Sequence, residues 1–131
     1  MPQVNLFAVI VAAISSFMLG GLWYSRALFG ALWQREAGDP RKAKEGHPVK
    51  VFGLSLLFAL LAAAAYALVI PAAASVLQAL AQGLAVGAGL VAASFGINYQ
   101  FANRSTKLLL IDGGYHTLQF GIYGLVLGLW R

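Results

Sequence analysis

The chain has 131 residues, of which 60% are hydrophobic and only 10% charged, with a net charge of +5 and no cysteine. A soluble domain carries about 25% charged residues, so this chain has too few polar groups to cover a water-facing surface. The absence of cysteine excludes disulfides, thiolate nucleophiles and thiol metal sites.

Four apolar stretches, at about 4–24, 51–70, 77–100 and 108–130, take up most of the chain. A helix rises about 1.5 Å per residue, so each stretch reaches across a hydrocarbon core of about 30 Å. The expected fold is an all-α polytopic membrane protein, a single domain of four transmembrane helices in a bundle. The first span does not read as a signal peptide, because no basic residue precedes it and its apolar run is too long.

After the first span, Leu28, Phe29, Leu32 and Trp33 recur at helical spacing between Arg26 and Arg35, which predicts an interfacial helical extension with Trp23, Tyr24 and Trp33 near the headgroups. Gly38, Asp39 and Pro40 mark a turn, and the loop at about 34–50 continues as a solvated segment through residues 41–47. The second span stops at Pro71. The third carries Gly83 and Gly87, and the fourth carries Gly121, Gly124 and Gly128. Small residues let membrane helices approach closely, so these spans are expected to pack on each other or on another copy.

Arg26, Arg35, Arg41, Lys42, Lys44 and Lys50 lie between the first two spans, and Arg104 and Lys107 between the last two. Only Arg131 falls on the opposite side. This asymmetry places both basic loops in the cytoplasm and both termini outside, in the periplasmic or extracellular space. Basic residues that flank spans are accounted for by orientation and by anionic lipid at the cytoplasmic face, so no nucleic-acid partner is expected.

The fourth stretch carries Asp112, His116, Gln119 and Tyr123 at i, i+4, i+7 and i+11, which is one helical face. Antiparallel geometry brings Asn98, Tyr99 and Gln100 to the depth of Asp112, and with them Arg26 and Arg104; of the three residues on the third span, Asn98 and Gln100 are the pocket candidates. A carboxylate in a membrane faces the protein interior or a wet pocket, and Arg26 or Arg104 is its expected partner. Three readings of this polar pocket stay open: a static ion pair that locks the bundle, a small proton or cation channel or transporter using Asp112 and His116, and a site for a lipid headgroup or anionic ligand at the arginines. Two histidines cannot build a metal site, and no nucleophile completes a triad, so neither catalysis nor a cofactor is expected.

The block Gly20, Trp23, Tyr24, Ser25, Phe29, Gly30, Trp33, in the pattern G-x-x-W-Y-S-x-x-x-F-G-x-x-W, resembles the DUF1761 family of small bacterial membrane proteins, as does the segment Leu110, Ile111, Asp112, Gly113, Gly114, Tyr115. That family is a domain of unknown function. The resemblance implies four spans and no activity, and it points to the Trp23–Tyr24–Ser25 corner and to Asp112. Together these readings predict a homo-oligomeric structural or partner-binding protein of the bacterial inner membrane.

Overall fold

The computed structural model describes residues 4–37 and 48–130, and every regular element among them is helical. The turn expected at Gly38, Asp39 and Pro40 and the loop at 41–47 lie outside the described residues. Helix α1 (Leu6–Trp23) starts at Asn5, whose side-chain oxygen accepts from the backbone N–H groups of Phe7 and Ala8 at 3.1 and 3.2 Å. A tight turn leads to the short α2 (Gly30–Ala37). Helix α3 (Pro48–Val69) opens on a proline, whose missing N–H costs nothing at a first helical position, and ends just before Pro71.

A capping box at Ser75 and Gln78 begins α4 (Val76–Val86). A π-helical segment (Gly87–Ala92) carries it without a break into α5 (Ala93–Phe101). That helix closes on a Schellman motif. Asn103 sits at φ 55°, its N–H donates to Gln100 O at 3.2 Å, and Arg104 N–H donates to Tyr99 O at 2.8 Å. Ser105 then caps α6 (Thr106–Leu129), so one tight turn separates the two helices.

Among the described residues three helices are long and apolar enough to cross a membrane: Leu6–Trp23, Pro48–Val69 and Val76–Phe101. Helix α6, the fourth expected span, differs from them in its polar face. It is also the centre of the fold, packed by α4 and the π segment on one side and by α1 on the other, with α3 lying mainly against α1.

Close packing explains the arrangement. On α1, Ala8, Ala12, Ala13 and Ser16 are fully buried and form a small-residue seam. Between α4 and α6 the glycines interlock. A Cβ on Gly83 would lie 2.1 Å from Phe120 O, and one on Gly124 would lie 2.1 Å from Ala79 O. Gly87 faces the His116 carbonyl, Gly121 faces Leu84, and Gly128 faces Val76 in the same way. These glycines therefore serve contact within one chain, where small residues let backbones meet.

Candidate functional site

The motif block after α1 folds into a unit that docks on α6. Ser25 Oγ donates to Leu22 O at 2.6 Å, Phe29 N–H to Trp23 O at 3.0 Å, and Gly30 N–H to Ser25 O at 2.8 Å. The turn requires glycine at position 30, since a Cβ there would lie 2.5 Å from Tyr24 O. Trp23 packs against Phe29, with ring centroids 4.6 Å apart and planes tilted by 49°, and donates its Nε1 hydrogen to Ile111 O at 2.9 Å. Gly114 makes room for the Trp23 ring, and Gly20 makes room for Tyr115, whose hydroxyl donates to Ser16 O at 3.0 Å.

Asp112 is the centre of this docking. The residue is only 8% exposed, and its carboxylate accepts from three neutral donors. Tyr24 OH reaches Oδ1 at 2.6 Å, Trp33 Nε1 reaches Oδ1 at 3.1 Å, and Tyr99 OH bonds Oδ2. The end of α1, α2 and α5 are thereby fastened to α6 at one side chain.

The expected arginine partner is corrected here. Arg26 is exposed on the turn. Arg104 Nη1 donates instead to Ala37 O at 2.6 Å, where a cation meets an unpaired carbonyl at the negative end of α2. Aromatic donors occupy the space around the carboxylate, and they satisfy it without burying a second charge. For the same reason Trp23, Tyr24 and Trp33 turn towards α6, where α6 supplies their acceptors, rather than serving only as headgroup anchors.

Asn98 and Gln100 are exposed and do not join the group. The π segment explains why Tyr99 does. From Gly87, three regular turns of about 3.6 residues would bring position 98 back to the α6 face. A π turn holds one extra residue, which moves that phase to position 99. A consequence follows for deletions. Removing Gly89, which has open space above it, should convert the segment to regular α-helix, keep Tyr99 on Asp112 and leave the unfolding midpoint near wild type. Removing Ala81 should turn Gly83 and Gly87 away from α6 by about 100° and strongly destabilise the fold. Unfolding of both deletion variants followed by circular dichroism checks this contrast.

One turn deeper, the polar face of α6 forms a second, separate row. His116 Nδ1 contacts Gln119 Oε1 at 2.5 Å, Gln119 Nε2 donates to Tyr123 OH at 2.7 Å, and Tyr123 donates to Ala59 O on α3 at 3.0 Å. Ser16 Oγ lies 3.2 Å from the same hydroxyl. His116 stacks on Phe95 at 5.0 Å and 12°, and no hydrogen bond joins it to Asp112. The one-face reading of Asp112, His116, Gln119 and Tyr123 thus covers two groups with different partners.

Trp33, Tyr99, Tyr115 and Ser16 complete these groups and were not among the pocket candidates read from the sequence. Trp33 and Tyr115 lie in the motif blocks, which is the one signal that marks them. Among the described residues no group of His, Asp or Glu is arranged to hold a metal.

Comparison with curated proteins and with solved structures gives no match. The model of one family, described as a protein of unknown function (DUF1761), matches residues 7–128. Both motif blocks, and so the docking unit they form, lie inside that match. The chain belongs to the DUF1761 family.

Proposed function

We propose that the chain is a four-span integral membrane protein with a structural or partner-binding role and no enzymatic activity, and that Asp112 fastens its cytoplasmic end. The observation that carries this reading is the saturation of Asp112 by Tyr24, Trp33 and Tyr99, drawn from three separate elements. A carboxylate used in transport needs a changing partner, such as water or an ion, whereas these three donors are built into the fold. The deeper row supports the same reading. It ends on the Ala59 carbonyl and passes through the Gln119 amide, so it ties α6 to α3 rather than offering a chain of exchangeable hydroxyls.

Helix α6 serves as the fourth span, since its 24 residues rise about 36 Å and its polar side chains turn inward. The basic loops then face the cytoplasm beside anionic lipid, and both termini lie outside the cell membrane. Self-association belongs to the same proposal on narrower support. The packing glycines are used within the chain, which leaves Gly21, Gly53 and Gly89, with open space above them, as glycine positions on α1, α3 and the π segment that a second copy could use.

The cysteine-free sequence allows a direct test of the topology. Single cysteines at Ala73 and Ala102 and a reporter after position 131 should divide in a defined way. Ala73 and the C-terminal reporter should label from outside, and Ala102 only from the cytoplasm. A C-terminal reporter on the same side as Ala102 would remove α6 from the spans.

A further inference from the structure

A recess beside His116 adjoins the Asp112 cage, with which it shares Tyr24. It is a cavity of about 710 Å³ between α1, α3 and α6, with Phe17, Phe52, Phe58 and Phe120 among its walls and His116 and Gln119 on its polar side. Pockets that enclose small organic ligands measure about 300–1,000 Å³. Phe52 and Phe58 line the recess and are still 60% and 63% exposed, so it opens along α3. In the membrane-spanning reading, on which this inference rests, it opens to hydrocarbon.

The direction of the hydrogen bonds decides what His116 offers. The Ala59 carbonyl only accepts, so the hydrogen in its contact with Tyr123 comes from the tyrosine. Tyr123 then accepts from the Gln119 amide nitrogen, and Gln119 turns its oxygen to His116. That contact needs a hydrogen on Nδ1, which leaves Nε2 of the neutral imidazole as an acceptor. Nε2 has no hydrogen-bond partner among the described residues. No enclosed polar atom among them is unpaired, so Nε2 reaches open space.

We infer that the recess holds one hydrocarbon chain of an amphipathic lipid whose polar end is a hydroxyl, and that this hydroxyl donates to His116 Nε2. The aromatic walls suit the chain, and the histidine selects the head. A second copy of the protein is the competing occupant, since its exposed faces carry Ser55, Gln82 and Ser94 as well as leucines, and a crosslink between copies tells the two apart.

The test uses the full chain in phosphatidylcholine nanodiscs with a diazirine-bearing hexadecanol as photoprobe, and hexadecanol or its methyl ether as competitor. Label is expected on residues 51–62, and the alcohol should compete about two- to tenfold better than the ether, the ratio expected of one neutral hydrogen bond. His116→Phe, which retains a ring to stack on Phe95, should keep the fold by circular dichroism and lose that preference. Equal competition in the wild type, label spread evenly over α3 and the helix Val76–Phe101, or a crosslink between copies through the recess would each overturn the inference. Protein that sits in the membrane fraction but takes no label in the recess sinks this inference alone. Protein absent from the membrane fraction sinks the spanning reading itself.

Discussion

Gly124→Val is expected to separate α4 from α6 and to destabilise the protein as much as any single substitution on that seam. A Cβ at position 124 would lie 2.1 Å from Ala79 O, 2.7 Å from Ala79 C and 2.9 Å from Leu80 Cα. All three atoms are backbone, so no rotamer change relieves the clash and the whole helix has to move. Overpacking a core usually costs about 1–3 kcal/mol, and an obstacle made of backbone puts this case at or above the top of that range. The movement has a second cost, because the Ala79 carbonyl also accepts from Tyr66 OH at 2.6 Å and links α3 to α4.

Gly83→Val should behave similarly, its nearest obstacle being Phe120 O at 2.1 Å. Gly121→Ala should be milder, since its nearest obstacle is the end of the Leu84 side chain at 2.7 Å, which can rotate away. Gly53→Ala and Gly89→Ala meet nothing within 4 Å and should be neutral or slightly stabilising, as alanine is the better helix former. Detergent-to-SDS unfolding of the series gives the ranking, and equal losses at Gly89 and Gly124 would refute the packing account.

The second large effect is expected at Asp112. Asp112→Ala leaves Tyr24 OH, Tyr99 OH and Trp33 Nε1 without their acceptor and frees the end of α1, α2 and α5 from α6. Hydrogen bonds between membrane helices average about 0.6 kcal/mol and reach about 1.7, so three of them together amount to about 2–5 kcal/mol. Asp112→Asn should lose much less. Its oxygen can face Tyr24 and Trp33 while its NH₂ donates to Tyr99, because a phenol hydroxyl accepts as readily as it donates. A tryptophan nitrogen only donates, so the amide is expected in this one orientation. Unfolding free energies of the two variants against wild type check the difference, and an equal loss in both would contradict the hydrogen-bond account of the cage.

Much of this was legible in the sequence because helical spacing is a strong constraint. The intervals between Asp112, His116, Gln119 and Tyr123 place them on one face, and the structure turns that face inward. The glycines of the third and fourth apolar stretches read as packing positions, and the structure shows which partner each one meets. The exchange of Asn98 for Tyr99 was not legible. A π turn adds one residue to the phase, and nothing in Gly87–Ala92 distinguishes it from an ordinary glycine-containing helix. Arginine was expected at Asp112 because charge complementarity counts only ions. It overlooks the N–H and O–H donors of aromatic side chains, which satisfy a carboxylate without a second desolvated charge. Trp33 was hidden for another reason. Its approach to Asp112 depends on the reversal of the chain at residues 24–29, and that geometry rests on close contacts around Gly30 rather than on any periodicity.

In the function proposed above, Asp112 is a fastening point and not a carrier of protons or ions. Asp112→Asn separates these roles, since it removes the ionisable group while preserving the contacts of the cage. The decisive measurement is proton and cation flux through wild-type and Asp112→Asn protein reconstituted in liposomes. The account predicts no flux above protein-free liposomes from either, in protein that remains folded. Flux through the wild type that Asp112→Asn abolishes without unfolding the protein would contradict it.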